Sequence, residues 1–316
     1  MADQSRPSAT QRTVRVTSTA TLQRQEVAQI GPPPTDAVSV QRATRTLIGW
    51  MHPGEATLAL AGRNQGEQQR PEYAEIAGQA RQAVSARAAG IDQAGVLADP
   101  PEALEPYIAE LRQNPASRSF FAEGWVVKVA DLRRICSFQP HVFTEDASER
   151  VRAIDEGEIA AIAAVSLPLH GPQSLAASFN PARNAWVFSS ANPNLRVIGQ
   201  ANGDSPIGPV FGFAIGISGS FMQVASYHGR LLLRDGYHRA FGLISRGIHV
   251  VPVFYREFST FDELRVPHGM LPQDAYLGDR PPLLVDYLNN EVAATTTAPA
   301  TQKVIVVQAL EIATLG

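Results

Sequence analysis

Five residues that together could bind or turn over an anion lie where an apolar run ends. Asp235-Gly-Tyr-His-Arg239 follows Leu231–Leu233 and precedes residues at helical spacing. The first N–H groups of a helix lack partners and carry the positive end of its dipole, so anions bind there. Arg239 adds a permanent charge that can hold a phosphate by two hydrogen bonds, and His238 adds an imidazole that titrates near neutrality. The sequence therefore predicts an oxyanion site at the start of this helix.

The motif and the residues after it resemble a known superfamily. Asp235-Gly-Tyr-His-Arg-Ala240, Arg246-Gly-Ile248 and Val250-Val-Pro-Val253 together look like the D-G-x-H-R element of the ParB/sulfiredoxin superfamily. That superfamily includes chromosome-partition CTPases, sulfiredoxins, free-serine kinases and the DGQHR proteins of DNA phosphorothioation systems. The similarity covers about thirty residues, Tyr227 to Glu257. A weaker similarity over Trp125–Ile135 and Gln139-Pro140 resembles the opening strand and loop of a ParB-like domain.

What the resemblance implies is a nucleotide-phosphate site at this turn. Its binding residues would be Gly236, His238 and Arg239, with the adjacent Tyr237, and the ligand would be a nucleoside triphosphate such as ATP or CTP. Asp235 would repel a phosphate unless it faces a magnesium ion, a ribose hydroxyl or an arginine, so magnesium is a conditional expectation. In an enzyme of this type, His238 and Asp235 are the catalytic candidates.

The chain also departs from the superfamily's pattern. Sulfiredoxins have a catalytic cysteine directly before the His-Arg pair, and this chain has Tyr237 there, with its one cysteine at Cys136. No helix-turn-helix follows the motif, because two prolines interrupt Val266–Pro272. Two functions remain open: a nucleotide-binding NTPase or phosphotransferase, and a non-enzymatic regulatory or nucleic-acid-interaction protein. A third reading is purely structural, with Asp235 as a helix cap and Arg239 paired with an acid.

Composition restricts the classes of protein to which the chain can belong. Its 316 residues are 44% hydrophobic, enough for a buried core, and its formal charge of −3 gives no overall basic surface for nucleic acid. One cysteine cannot form an intramolecular disulfide or a cysteine-based zinc cluster, which is typical of a reducing compartment. No stretch has the roughly 20 apolar residues of a membrane span, and no secretory pattern is present. We expect a cytoplasmic protein without a membrane partner.

Alternation and turn residues predict the elements that hold the motif. Two strands, Phe221–Tyr227 and Arg230–Arg234, are joined by the hairpin signal His228-Gly229. The helix that follows should end near Gly247, and His249–Tyr255 should form the next strand. A strand, helix and strand in this order predict parallel pairing of the two strands, which would place the motif at the carboxyl end of a parallel strand.

Upstream of the hairpin, glycines are concentrated between Gly199 and Gly219. No Lys-Ser or Lys-Thr follows them at the spacing of a P-loop, so they indicate close backbone packing or a flexible loop over the site. The acidic residues between Glu145 and Glu158 lie near predicted helix starts, where carboxylates complement the helix dipole, and are expected to be solvated.

The pattern as a whole predicts a mixed α/β fold in which a ParB/sulfiredoxin-like domain has extensions on both sides. Helices over Tyr73–Ala89 and Pro101–Leu111 dominate the first extension, and a strand over Lys303–Ala309 ends the second. The predicted divisions are a flexible arm at 1–41, a helical N-terminal region at 42–119, the ParB/sulfiredoxin-like domain at 120–258 and a C-terminal extension at 259–316.

Overall fold

Helices and short sheets alternate along the chain, which has a mixed α/β architecture. The structure is a computed structural model, and it describes residues 40–62, 70–152, 154, 158–169, 175–192, 194–206, 208–217, 219–300 and 302–311. The arm predicted at 1–41 lies outside the described residues except for its last two. No helix in the described ranges is both long and apolar enough to cross a bilayer.

The strands are short apart from one long hairpin. In chain order they are β1 Gln41–Thr46, β2 Leu97–Ala98, β3 Val126–Asp131, β4 His141–Phe143, β5 Ala176–Asn180, β6 Ala185–Ser190, β7 Leu195–Ser205, β8 Gly208–Ile217, β9 Gln223–Tyr227, β10 Arg230–Asp235, β11 Val250–Glu257, β12 Ala294–Pro299 and β13 Lys303–Gln308.

The helices have ends that the sequence explains. Proline occupies the first turn of several, and Thr260 and Glu263 form a capping box with the three-residue spacing that is typical of this motif. The α-helices are α1 Pro53–Ala61, α2 Pro71–Ser85, α3 Glu105–Gln113, α4 Pro115–Ala122, α5 Thr144–Arg150, α6 Ile159–Ser166, α7 Tyr237–Ser245, α8 Phe261–Leu264 and α9 Gln273–Leu277.

A five-stranded sheet in the order β10-β9-β11-β3-β2 holds the motif. The hairpin predicted at His228-Gly229 is confirmed: φ is +47° at His228 and +73° at Gly229, and β9 pairs with β10 in antiparallel register. Two successive positive φ values twist a two-residue turn to match the twist of its strands. The helix and strand predicted after Asp235 are confirmed as α7 and β11.

The predicted parallel pairing of the strands on either side of α7 is wrong. The two-residue turn commits β9 to β10, so β11 pairs in parallel with β9 on its free side. Asp235 lies opposite Gln223, the first residue of β9. The motif is therefore at the carboxyl end of its own strand, beside the amino end of the parallel pair.

The glycine-rich stretch forms strands, where the sequence suggested close packing or a loop over the site. β7 and β8 pair from Leu195–Ile217 out to Ser205–Gly208. Among the described glycines of this stretch only Gly208, with φ +114°, has a left-handed backbone, so the others fit an extended chain. Valine, isoleucine and phenylalanine between the glycines favour strands, and this preference outweighs the flexibility of the glycines.

Two strands near the end of the chain connect it to its beginning and middle. β12 pairs with β1, and β1 pairs in turn with β4. β13 pairs with β6, and the strand β5 completes that sheet. The hydroxyl of Thr296 lies 2.7 Å from that of Thr44 and 2.8 Å from that of Thr46, so these buried polar groups have partners.

One hydrophobic core joins side chains from Leu47 to Ala293. Its aromatic centre includes Phe120, stacked on Phe254 at 5.1 Å between ring centroids and edge-on to Phe221 at 5.1 Å. Side chains on both sides of the predicted divisions near 119 and 258 pack in this core. Residues before and after the predicted ParB/sulfiredoxin-like domain thus both pack against the sheet that holds the motif.

Candidate functional site at the start of helix α7

Gly236 makes the sharp turn that leads from β10 into α7. Its φ is +100°, a left-handed backbone that glycine adopts without steric cost. A Cβ atom on Gly236 would lie 2.5 Å from Cγ and 3.0 Å from Cα of Met222. The turn therefore requires glycine for its backbone angle and for its close approach to β9.

The first turn of α7 leaves its backbone donors unused. The first helical hydrogen bond joins the Ala240 N–H to the Gly236 carbonyl at 2.9 Å. No described residue accepts a hydrogen bond from the N–H groups of Tyr237, His238 or Arg239, and no side chain caps the helix. Three N–H donors and the positive end of the helix dipole thus lie together at the start of α7.

Asp235 is half-buried and lies among positive charges. Its Oδ1 accepts a hydrogen bond of 2.7 Å from the Gly236 N–H. Burial raises the pKa of Asp235, and the charges of Arg239, Arg234 and Arg150 oppose that rise. Of the partners that the sequence allowed for this carboxylate, the structure brings arginines near it. In the described residues, no group of three or more His, Cys, Asp or Glu side chains could hold a metal ion.

Tyr237 belongs to the core. Its hydroxyl donates to the Leu233 carbonyl and accepts a hydrogen bond of 3.2 Å from the Phe138 N–H. The rings of Tyr237 and Phe138 meet edge to face at 5.7 Å. The side chain is thus used in packing, and only the backbone N–H of Tyr237 is placed to meet a ligand.

His238 is neutral at pH 7, which differs from the titration near neutrality expected from the sequence. Burial and, to a smaller extent, the charge of Arg150 lower the pKa of His238 to about 4. The imidazole stacks on the ring of Phe143, with 5.8 Å between centroids and 7° between planes. Its Nε2 is buried and has no hydrogen-bond partner among the described residues. A buried polar nitrogen without a partner is unfavourable, so a ligand that reached it would be stabilised.

Arg239 is buried, with 8% of its surface exposed. Its Nη1 donates to the Ser220 carbonyl at 2.6 Å. Burial and, to a smaller extent, the charge of Arg150 lower the pKa of Arg239 to about 10, and Asp235 opposes the change. The guanidinium is still charged at pH 7, and it is turned into the protein.

Arg150 completes this group and was missed by the sequence analysis. It is the last residue of α5 and is exposed, and its charge affects the pKa values of Asp235, His238 and Arg239. In the described residues no carboxylate pairs with it. Nothing in the local sequence marks Arg150, because its proximity to the motif comes from the packing of two helices.

A glycine in α7 permits that packing. A Cβ atom on Gly242 would come within 2.5 Å of the Ala147 carbonyl oxygen in α5. Arg246, the residue that follows α7, donates to the Ile154 carbonyl at 3.0 Å and also to the Val151 carbonyl. These contacts fix the end of α5, and with it Arg150, beside the first turn of α7.

The acidic residues of α5 are partly paired, where the sequence suggested solvated helix ends. Asp146 accepts hydrogen bonds from Arg42 of β1, one of them 3.1 Å from Nη1 to Oδ2. The Arg42 guanidinium also lies 5.2 Å from the ring centroid of Phe143, the ring on which His238 stacks. Arg42 is therefore a neutralised neighbour of the site, whereas Arg150 has no carboxylate partner among the described residues.

Cys136 offers no nucleophile to this site. It is free and buried, and burial raises the pKa of its thiol to about 12. Its backbone N–H donates to the Leu231 carbonyl at 2.9 Å, so it serves to join the chain to β10. A thiol with this pKa is protonated at pH 7, and the thiolate is the reactive form.

Comparison of the chain with protein-family models, with curated proteins and with solved structures gave no match. The resemblance to the ParB/sulfiredoxin superfamily therefore rests on the motif residues alone. What the geometry adds is a group of unused donors and cations around one helix start, next to a neutral imidazole.

Proposed function

We propose that the protein binds the phosphate groups of a nucleotide at the first turn of α7. The observation that carries this proposal is the coincidence of three unused backbone donors with the buried guanidinium of Arg239 and the unpaired charge of Arg150. Phosphate groups bind well at helix starts because the N–H groups point at them and the dipole favours negative charge.

The two arginines have different roles in this proposal. Arg239, held by the Ser220 carbonyl, is a fixed charge beneath the helix start. Arg150 is exposed at the end of α5 and meets the ligand from solvent. Hydrogen bonds to charged groups contribute about 1.5–3 kcal/mol each, so the loss of Arg150 should weaken binding by roughly tenfold or more. Asp235 lowers the net positive charge and sets an upper limit on affinity.

His238 is the candidate proton acceptor if the bound nucleotide is turned over. Its Nε2 is neutral at pH 7 and has no described partner, so it can accept a proton from a water or hydroxyl that attacks the terminal phosphate. A bound phosphate would raise the pKa of His238, since an anion stabilises the protonated ring. The reaction class is phosphoryl transfer to water or to an acceptor hydroxyl, with the nucleoside diphosphate as the leaving group, and magnesium would arrive on the nucleotide.

Titration calorimetry with matched arginine variants tests the site. ATP, CTP and GTP are titrated, with and without magnesium, into the wild type, Arg150→Ala and Arg152→Ala. Arg152 is exposed two residues beyond Arg150 and controls for the loss of one surface charge. We expect Arg150→Ala to weaken binding about tenfold and Arg152→Ala to leave it within about twofold.

Two outcomes would reject the proposal. One is that the wild type binds none of the three nucleotides. The other is that Arg150→Ala and Arg152→Ala change affinity equally, since the effect would then come from net charge. Arg239→Lys gives a further check, because it retains the charge but loses the planar fork that reaches the Ser220 carbonyl. A salt-dependent DNA shift without nucleotide binding would instead favour the regulatory, nucleic-acid-interaction alternative.

A further inference from the structure

Three arginines surround a small cavity that shares no lining residue with the α7 site. The cavity has a volume of about 150 Å³. Its arginines come from β10, β11 and the residue after α8, and they are Arg234, Arg256 and Arg265. The function proposed above uses none of the three.

Arg234 is fixed at the base of this cavity, with one end of its guanidinium unused. Its Nε donates to the Leu264 carbonyl at 2.9 Å, and its Nη1 donates to Oε1 of Gln223. Its Nη2 has no hydrogen-bond partner among the described residues. The register between β9 and β10 shifts from Leu233 to Asp235, so Arg234 sits in a bulge, and bulges redirect side chains.

Two aromatic rings hold the guanidinium groups in place. The Cζ atom of Arg234 lies 5.6 Å from the ring centroid of Trp125 and 6.0 Å from that of Phe258. The Cζ atom of Arg256 lies 4.9 Å from the centroid of Phe258. The ring of Phe258 therefore contacts two positively charged groups. Because the stacked arginines are already held in place, they lose less rotameric freedom when a ligand binds.

The positive charges of the cavity lack close acidic partners. In the described residues no carboxylate oxygen lies within 4.0 Å of a nitrogen of these three arginines. Two glutamates line the cavity as well, but Oε2 of Glu263 already accepts from the N–H groups of Ser259 at 3.2 Å and Thr260 at 3.1 Å. Burial is the main cause that lowers the pKa of Arg234. The charges of Arg265 and Arg256 lower it further, and those of Asp235 and Glu123 oppose the shift. An anion would relieve this repulsion.

We propose that the cavity is a second oxyanion site, which holds one phosphate-sized group between Arg234, Arg256 and Arg265. Its volume suits one phosphoryl or sulfate group, whereas small-molecule sites for larger ligands measure about 300–1,000 Å³. Arg234 supplies the fixed donor at the base. Arg265, which is exposed, contacts the bound group from the solvent side. The ligand is free phosphate or the phosphoryl group of a modified side chain.

Calorimetric titration with inorganic phosphate tests the second site separately from the first. All proteins carry Arg150→Ala, which weakens the α7 site. To this background we add Arg256→Ala with Arg265→Ala, or Arg118→Ala as the control. Arg118 is an exposed arginine of α4 that does not line the cavity. We expect the two cavity substitutions to raise the Kd for phosphate at least tenfold and the control to change it less than about twofold.

The proposal is overturned if phosphate does not bind the Arg150→Ala background, or if the two cavity substitutions leave its Kd unchanged. Arg265→Ala alone guards against a folding defect, because its side chain is exposed, and it should raise the Kd by about threefold or more. O-phosphoserine titrated in parallel separates the two sources. Tighter binding than that of inorganic phosphate identifies a modified side chain, and weaker binding identifies free phosphate.

Discussion

At the scale of single residues, Gly236 shows how strongly one position can be constrained. Its backbone is left-handed, and an added Cβ would lie 2.5 Å from the Met222 side chain. We expect Gly236→Ala to lower the free energy of unfolding by about 2 kcal/mol or more, since backbone strain and steric overlap add. Urea denaturation measures the change.

Gly78 is the matched control for that substitution. It lies inside α2, and an added Cβ would have open space around it. Alanine is preferred over glycine in helices by up to about 1 kcal/mol, so Gly78→Ala should stabilise the protein. If both variants had the same stability, the turn at Gly236 would not need glycine.

The pH dependence of stability should reveal the buried state of His238. Its pKa is about 4 in the folded protein against 6.5 ordinarily, so the unfolded chain binds more protons between these values. Stability from this residue is complete above pH 6.5 and falls as the pH drops towards 4. The loss should reach about 2 kcal/mol by pH 5, from about 1.4 kcal/mol per pH unit.

A glutamine variant isolates this effect of His238. Burial also lowers the pKa of His141, but that contribution is the same in the wild type and in His238→Gln. The difference between the two proteins in urea unfolding, taken at about pH 7.5 and pH 5, therefore reports His238 alone. A constant difference across this range would show that the imidazole titrates normally in the folded state.

At the scale of elements, the β7–β8 hairpin is the part that the core needs least. Leu195, at its base, is fully buried, whereas most other residues of the two strands are exposed. We expect replacement of residues 197–215 by a two-residue Asn-Gly turn to change the free energy of unfolding by less than about 1 kcal/mol. Leu195→Ala, the control, should cost about 2–5 kcal/mol because it leaves a cavity.

The same replacement should reduce self-association. Val197, Ile198, Phe211 and Phe213 of the hairpin are each about half exposed, and exposed apolar patches on strands with free edges promote aggregation. Light scattering at increasing protein concentration measures the change. If the shortened protein scattered more light than the wild type, or unfolded much more readily, the hairpin would have a packing role.

Elements were predictable from sequence where they depend on neighbouring residues. The His228-Gly229 turn, the capping box at Thr260 and the strand and helix on either side of Gly236 follow from local preferences. The order of the strands does not, because the position of β11 depends on which edge of β9 is free. In the site, the donors of α7 were foreseeable, whereas Arg150 and the burial of His238 depend on contacts distant in sequence.

At the scale of the whole molecule, a buried ion pair joins distant parts of the chain. Asp286 is 5% exposed and accepts two hydrogen bonds from Arg87, of 2.8 and 2.9 Å, and a third from the Leu283 N–H at 2.7 Å. The Arg87 guanidinium also lies 5.0 Å from the ring centroid of Trp50. We expect Asp286→Ala to destabilise the protein by about 2 kcal/mol, because the partly buried Arg87 loses its partner and the Leu283 N–H loses its acceptor.

An exposed ion pair provides the comparison. Asp99 lies 2.6 Å from Lys128, and its side chain is 87% exposed. Exposed pairs contribute about 0–1 kcal/mol, so Asp99→Ala should unfold at nearly the same temperature as the wild type. Thermal unfolding followed by circular dichroism compares the two variants, and equal effects would mean that the pair of Arg87 and Asp286 does not hold the two regions together.

The pairing of β1 with β12 also sets the order of events on the ribosome. Gln41 faces Pro299 in this sheet, and synthesis at roughly 5–20 residues per second separates their appearance by roughly 10–50 s. Until β12 has been synthesised, β4 is the only described strand of this sheet with which β1 can pair. The nascent chain thus carries an open strand edge on β1 until β12 has been synthesised.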